Sequence, residues 1–223
     1  MAEGVVLCVC GLAAEARIAR AAGFAAVVGA GDPALTAAVV AAALPQARCL
    51  VSFGIAGGLA PQLRPGDVVV SAEVTDGEQR WRSARDLPAD IAALGARRRA
   101  AIGPVYGARS IFATAADKSR TWRATGALAV DLESAIVAAS AAASGLPFLV
   151  LRAIADPATR NLPPAALLPL AAAGKPALWP ILAEVLCRPR QIAALSGLAL
   201  DTRQALRGLA GAAQGLHRML AAT

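Results

Sequence analysis

The chain has 223 residues and a net charge of +7; 57% of it is hydrophobic but only 4% is aromatic. That length suits one domain with a sizeable core, which this composition makes aliphatic and rich in alanine. It excludes histidine-based triads and zinc motifs, because His217 is the only histidine, and it disfavours nucleic acid, for which neither a recognition motif nor stacking aromatics are present.

In chain order, Val5 to Val9 reads as a buried strand and Ala13 to Ala22 as a helix. No basic segment precedes the first strand, so no signal peptide is expected and the cytoplasm is predicted. Ala25 to Val28 is a short strand ending at Gly29-Ala-Gly31-Asp32-Pro33, and Ala34 to Ala43 is helical. Cys49 to Phe53 is the next strand, with Gly54 to Gly58 as the loop at its end. Asp67 to Val74 follows a Pro-Gly turn as a strand. Ser110 to Ala113, Ala127 to Leu132 and Phe148 to Ile154 complete the strands, with Ser134 to Ser144 as a helix. The uncharged run from Ser134 to Leu151 is divided by Gly145 and Pro147, so it is not read as a membrane span. Strands alternating with helices predict an α/β architecture with a central sheet. Cys8 and Cys10 lie on one strand face, a spacing open to a metal, but buried free thiols in a reducing compartment are the expected reading.

After Asp156 the character changes. Asn161 to Trp179 is rich in Pro, Leu and Ala, and Arg188-Pro-Arg190 precedes a closing helix. In that helix Leu206, Leu209, Ala213, Leu216 and Leu220 recur at helical spacing, opposite Arg203, Arg207 and Arg218. Residues 158–223 therefore read as an apolar, basic helical extension of a single domain, either added for a special substrate or covering the core or an oligomer interface. Residues 80–123 carry ten basic and three acidic side chains. The Arg97-Arg98-Arg99 run within them is a solvated face or, alternatively, a contact with an anionic membrane surface.

The chemistry concentrates in two strand ends. Ala129-Val-Asp131-Leu-Glu133-Ser-Ala135 delivers two acids, and Arg152-Ala-Ile-Ala-Asp156 follows on the next strand. Strand ends in α/β sheets are where ligands bind. Two carboxylates can hold a sugar diol, and a third can exchange a proton with a heterocycle. The bland alternatives are a helix-start acid at Glu133 or Glu15 and a turn-opening Asp156-Pro157.

These motifs, with Cys10-Gly-Leu-Ala-Ala-Glu15, Val51-Ser-Phe-Gly54-Ile-Ala-Gly57-Gly58 and Leu63-Arg-Pro-Gly66-Asp67, occur in family order over residues 4 to 157. Together they resemble the nucleoside phosphorylase and nucleosidase superfamily, chiefly the nucleosidases that release adenine from methylthioadenosine and adenosylhomocysteine. The resemblance implies a three-layer αβα sandwich around a mixed, partly closed sheet. It implies Glu15 as the base that activates water, Asp156 as the acid at the purine and Glu133 as the ribose ligand. Asp131 would bind or orient at the ribose and Arg152 would orient the acids; for the residue at the base, Phe112, Ile111 and the Thr114-Ala-Ala-Asp117 segment are the nearest candidates.

Gly29, Gly31, Gly54 and Ile55 would form the nucleophile or phosphate loop. Phosphorylases of the bacterial type carry an Arg two residues before Gly54 and a Ser just after it, where this chain has Ser52 and Ile55. Water is therefore the expected nucleophile, with inorganic phosphate as the alternative co-substrate if Arg17 or Lys118 rebuilds its site. No metal or other cofactor is expected. The tail resembles the hopanoid-associated phosphorylase branch, which implies an adenine nucleoside with a bulky lipid at its 5′ carbon, adenosylhopane. The family's relatives imply a homo-oligomer, a dimer foremost, and the basic segment makes peripheral contact with an anionic membrane the alternative to a solvated face. A methylthioadenosine nucleosidase and a catalytically idle adenosine- or lipid-binding module are the competing expectations.

Overall fold

The computed structural model describes residues 4–84, 99–167 and 192–221. Its first half runs β1 (Val5–Cys10), α1 (Ala13–Ala21), β2 (Ala25–Val28), α2 (Pro33–Ala43), β3 (Ala47–Gly58), β4 (Val68–Ser71) and β5 (Glu73–Thr75). The second half runs β6 (Arg80–Arg82), β7 (Ala100–Ile102), β8 (Val105–Gly107), α3 (Ala115–Thr125), β9 (Ala129–Asp131), α4 (Ser134–Ala143), β10 (Phe148–Asp156) and α5 (Ile192–Ala221). Local chemistry sets several ends. Asp32 caps α2 by accepting from the amides of Ala34 and Leu35, with Pro33 in the first turn. Thr114 caps α3 through the Asp117 amide, and Gly126 ends it at φ 71°.

The strands form one ten-stranded mixed sheet in the order β6-β5-β8-β9-β3-β10-β4-β7, with β1 and β2 branching from β3. β10 lies parallel to β3 and antiparallel to β4, and every one of its residues is buried. Strict alternation divides the core. Cys8, Cys10, Val51, Phe53, Leu149 and Leu151 pack on one face with Ala16 and Ala19 of α1 and Leu209, Ala213 and Leu216 of α5. Leu7, Val9, Leu50, Val150 and Ile154 face the other way, toward Val40 of α2 and Val137, Ala138 and Ala141 of α4. The result is the three-layer αβα sandwich with a mixed central sheet.

β3 decides where the site forms. Its first half pairs with β1 as far as Val9 opposite Ser52. On that same flank β9 joins only at Gly57 and Gly58. The sheet forks there, and among the described residues an interior stretch of β3 edge around Gly54 and Ile55 has no strand neighbour on that side.

Three expectations need correction. Gly54 to Gly58 is not a loop but the continuation of β3, because its glycines let side chains from elsewhere approach the strand closely. Asp67 to Val74 breaks into β4 and β5, and Ser110 to Ala113 forms no strand. Of the alternatives for the last segment, covering the core is the one seen for α5, which supplies one layer over the sheet. Its buried stripe is Ala205, Leu209, Ala212, Ala213, Leu216 and Leu220, while Leu206 is only half-buried and Arg203, Arg207 and Arg218 are exposed. Cys8 and Cys10 are buried free thiols, Cys49 is buried as well, and no metal-binding cluster is found among the described residues. Among them, no helix is long and apolar enough to cross a membrane. Arg97, Arg98, Trp179, Arg188 and Arg190 lie outside the described residues.

Candidate active site

Glu15 stands in the first turn of α1, where its carboxylate meets the fork. Oε2 accepts from the amides of Gly11 and Leu12 at 2.9 and 2.8 Å, and Oε1 accepts from Ile55 at 2.8 Å. A side chain thus closes the unpaired edge of β3. Burial pushes this carboxyl up to about 7; Arg152 opposes the rise and Glu133 adds to it.

β9 ends at Asp131, and the chain turns directly into α4, with Glu133 at its N-cap. The strand does not persist to Glu133, so the two acids do not share its face. Asp131 Oδ1 accepts from the amides of Glu133 and Ser134 at 2.9 and 2.7 Å, and Oδ2 accepts from the Ser134 hydroxyl at 2.5 Å. Arg152 Nε lies 3.0 Å from the same Oδ2. Both oxygens are engaged within the protein, where Asp131 organises the turn, and the residue also lines the same cavity as Glu15. Glu133 Oε2 takes Arg152 Nη2 at 3.1 Å, while Oε1 stands over Gly11, where an added Cβ would come within 2.7 Å. Burial raises the Glu133 carboxyl, Arg152 lowers it and Asp131 raises it.

Arg152 itself is fully buried at the centre of these acids. It also donates to the Ser52 hydroxyl at 2.6 Å and the Ile55 carbonyl at 3.2 Å. Burial alone would lower the guanidinium, but Asp131, Glu133 and Glu15 hold it above its ordinary range. Ser52 is buried too, sharing a 2.8 Å contact with the Ser134 hydroxyl.

Asp156, at the end of β10, belongs to a separate charged group. Its Oδ2 is ion-paired with Lys118 of α3, whose ammonium also donates to the carbonyls of Pro157 and Arg160 at 3.3 and 3.1 Å. Burial pushes the Asp156 carboxyl up, and Lys118 pulls it back.

Glu15, Asp131, Glu133, Arg152, Asp156 and Lys118 all line one cavity of about 290 Å³, together with Gly31, Ile55 and Phe112. Its apolar lining includes Leu12, Ile111, Leu132, Leu162, Ala166 and Leu198. Phe112 is half-buried and tilted against Tyr106, with ring centroids 5.6 Å apart.

The proposed phosphate loop is only partly brought together. Gly54 and Ile55 sit at the fork and Gly31 reaches the cavity, but Gly29 packs against Thr36 outside its lining. The α2 amides that could meet an anion are taken by Asp32. Arg17 is exposed on α1, and Lys118 is spent on Asp156 and two carbonyls, so neither stands as a spare phosphate ligand. Sequence reasoning missed Lys118 as a partner of Asp156 and missed α3 altogether. A signal for the helix was present, since Thr114-Ala-Ala-Asp117 is a capping pattern.

A sequence model described as the phosphorylase superfamily matches residues 2–167. Among solved structures, the 5′-methylthioadenosine/S-adenosylhomocysteine nucleosidase from Neisseria meningitidis, in complex with methylthio-immucillin-A, is similar at a TM-score of 0.64 and 16% identity, covering 97% of this chain and 100% of that one. The corresponding nucleosidase from S. pneumoniae, with a transition-state inhibitor, gives a TM-score of 0.61 and 16% identity over 95% and 99% of the two chains. That from Helicobacter pylori gives 0.64 and 14%, covering both chains in full. At these identities the likeness is one of fold. Comparison with curated proteins gives no match.

Proposed function

Because the chain belongs to the phosphorylase superfamily, we propose that its cavity cleaves the N-glycosidic bond of an adenine nucleoside, with water as the nucleophile. The observation that carries this reading is the convergence of Glu15, Glu133 and Asp156 on one cavity. Glu133 binds the ribose hydroxyls, held in place by Arg152 and, through the turn, by Asp131. Asp156 donates a proton to the purine ring as the bond to the sugar breaks. Glu15 takes a proton from the attacking water, and its elevated carboxyl suits a base working near neutrality.

Electrostatics favours water over phosphate. At the ribose end Glu15, Asp131 and Glu133 face one cation among the described residues, Arg152. An excess of negative charge stabilises an oxocarbenium-like sugar and repels a phosphate dianion. Among the described residues lining the cavity, the cations are Arg152 and Lys118, and both are already paired.

The 5′ substituent is read as large and apolar, the ligand being adenosylhopane. Supporting this are the apolar lining and the exposed Ile111, Leu167 and Leu200, which are 43%, 38% and 60% accessible. The test offers adenosylhopane and 5′-methylthioadenosine to the protein, with and without phosphate, and follows adenine release and product mass. Adenine and free ribosylhopane in phosphate-free buffer are expected. Exclusive formation of the ribose 1-phosphate would overturn the choice of water, and preference for methylthioadenosine would overturn the lipid substituent.

A further inference from the structure

Lys118 belongs to none of the roles assigned so far, yet it is among the largest fully buried side chains of the protein. An ammonium carries three donors, and here they meet three acceptors: Asp156 Oδ2 and the carbonyls of Pro157 and Arg160. None is left for a ligand, so any effect on a substrate must pass through Asp156. The carbonyls it holds belong to the turn directly after Asp156. Beyond that turn, the Arg160 guanidinium is ion-paired with Asp201 of α5, the helix that contributes Leu198 and Thr202 to the cavity. One buried cation therefore sets the direction of the carboxylate and the shape of the chain that follows it.

We propose that Lys118 is the positioning residue for Asp156, holding one carboxylate oxygen so that the other faces the base and stabilising the anion left when the proton departs. The inference rests on the reading of Asp156 as the acid. In that step the Asp156 O–H bond breaks, an N–H bond forms on the purine, and the glycosidic electron pair passes to the base. Water adds to the sugar carbon and yields its proton to Glu15. The base leaves neutral, and the new carboxylate lies against the Lys118 ammonium. The charges facing Asp156 agree with this balance: burial raises its carboxyl, Lys118 and then Arg160 lower it, and Asp201 raises it. Without Lys118 the acid would be weaker and less well aimed.

The test compares Lys118→Met with Lys118→Gln, which removes the charge but keeps donors for the two carbonyls, and with Lys118→Arg, which keeps the charge. Each is assayed on an adenine nucleoside and on the matching p-nitrophenyl riboside, whose leaving group departs without a proton. Loss of the charge is expected to lower kcat on the adenine nucleoside by about a hundredfold or more. The nitrophenyl substrate should lose less than about fivefold, and Lys118→Arg should recover much of the adenine rate. Carbon-13 titration of the Asp156 carboxyl should shift to higher pH in the Met or Gln variant. Equal losses on both substrates would show a merely structural lysine, and an unshifted carboxyl titration would overturn the pairing itself. Failure of the wild type to release adenine from any nucleoside would instead overturn the functional reading, which the carboxyl titration does not depend on.

Discussion

Asp156 and Glu15 are both buried acids, and the proposed reaction gives them opposite tasks. Asp156 is paired with one ammonium, whereas Glu15 has three backbone amides, the Arg152 guanidinium and a neighbouring acid. Asp156→Asn keeps the shape but has no acidic proton, so turnover of an adenine nucleoside should fall by about a hundredfold or more while the folded circular-dichroism spectrum is retained. Retention of more than roughly a tenth of the rate would rule out the proton transfer. Glu15 should be visible in the pH profile once Asp156 is made irrelevant. With a p-nitrophenyl riboside the rate should follow ionised Glu15, rising through about pH 7 to a plateau above it. A profile flat from about pH 5 to 9 would exclude Glu15 as the base.

At the scale of elements, β3 carries the strongest constraint. Gly54 lies within a strand, where replacing glycine by alanine usually gains about 0.5–1 kcal/mol. Here an added Cβ would come within 2.6 Å of the Glu15 carboxyl and 2.7 Å of Arg152 Nη1. Overpacking of this kind costs about 1–3 kcal/mol, so the clash wins. Gly54→Ala should therefore lower the urea midpoint and reduce turnover at least about tenfold.

The same glycines explain what could be read from the sequence. Unbroken apolar runs made β1, β2 and β10 legible, and alanine runs ending at glycine made α1 and α4 legible. Gly54, Gly57 and Gly58 look like a turn to any local rule, because what needs their missing side chains is Glu15, Arg152, Val130 and Asp156, all remote in sequence. β6, β7 and β8 have three residues each, too few to show a period. The acids of the site were found because short motifs carry them. The partner of Asp156 was not, since Lys118 lies 38 residues away on a helix whose face could not be assigned.

For the whole molecule, the site and the core are one construction. The two faces of β1, β3 and β10 anchor α1 and α5 on one side and α2 and α4 on the other, and the ends of these strands open on the cavity. The basic residues that give the chain its charge lie largely apart from this centre. Arg203, Arg207 and Arg218 face outward along α5, while the buried end of the cavity around Asp131 and Glu133 is acidic. The positive surface therefore says nothing about the chemistry inside.

The fork in the sheet has a thermodynamic consequence. Glu15 mends the open edge of β3, and in the proposed reaction the same carboxyl must be ionised to serve as the base. Its pKa in the folded protein, about 7, lies above the ordinary 4.5, so the folded state holds this proton more tightly than the unfolded chain does. The stability linked to that proton is fully present below about pH 4.5 and is lost as pH rises through 7, a change on the order of 3 kcal/mol. As far as this one group is concerned, the protein is most durable in the pH range where its base is idle. Substitutions nearby that keep Glu15 protonated would make a firmer sheet and a poorer catalyst, whereas replacing Glu15 itself would leave the amides of Gly11, Leu12 and Ile55 without their acceptor.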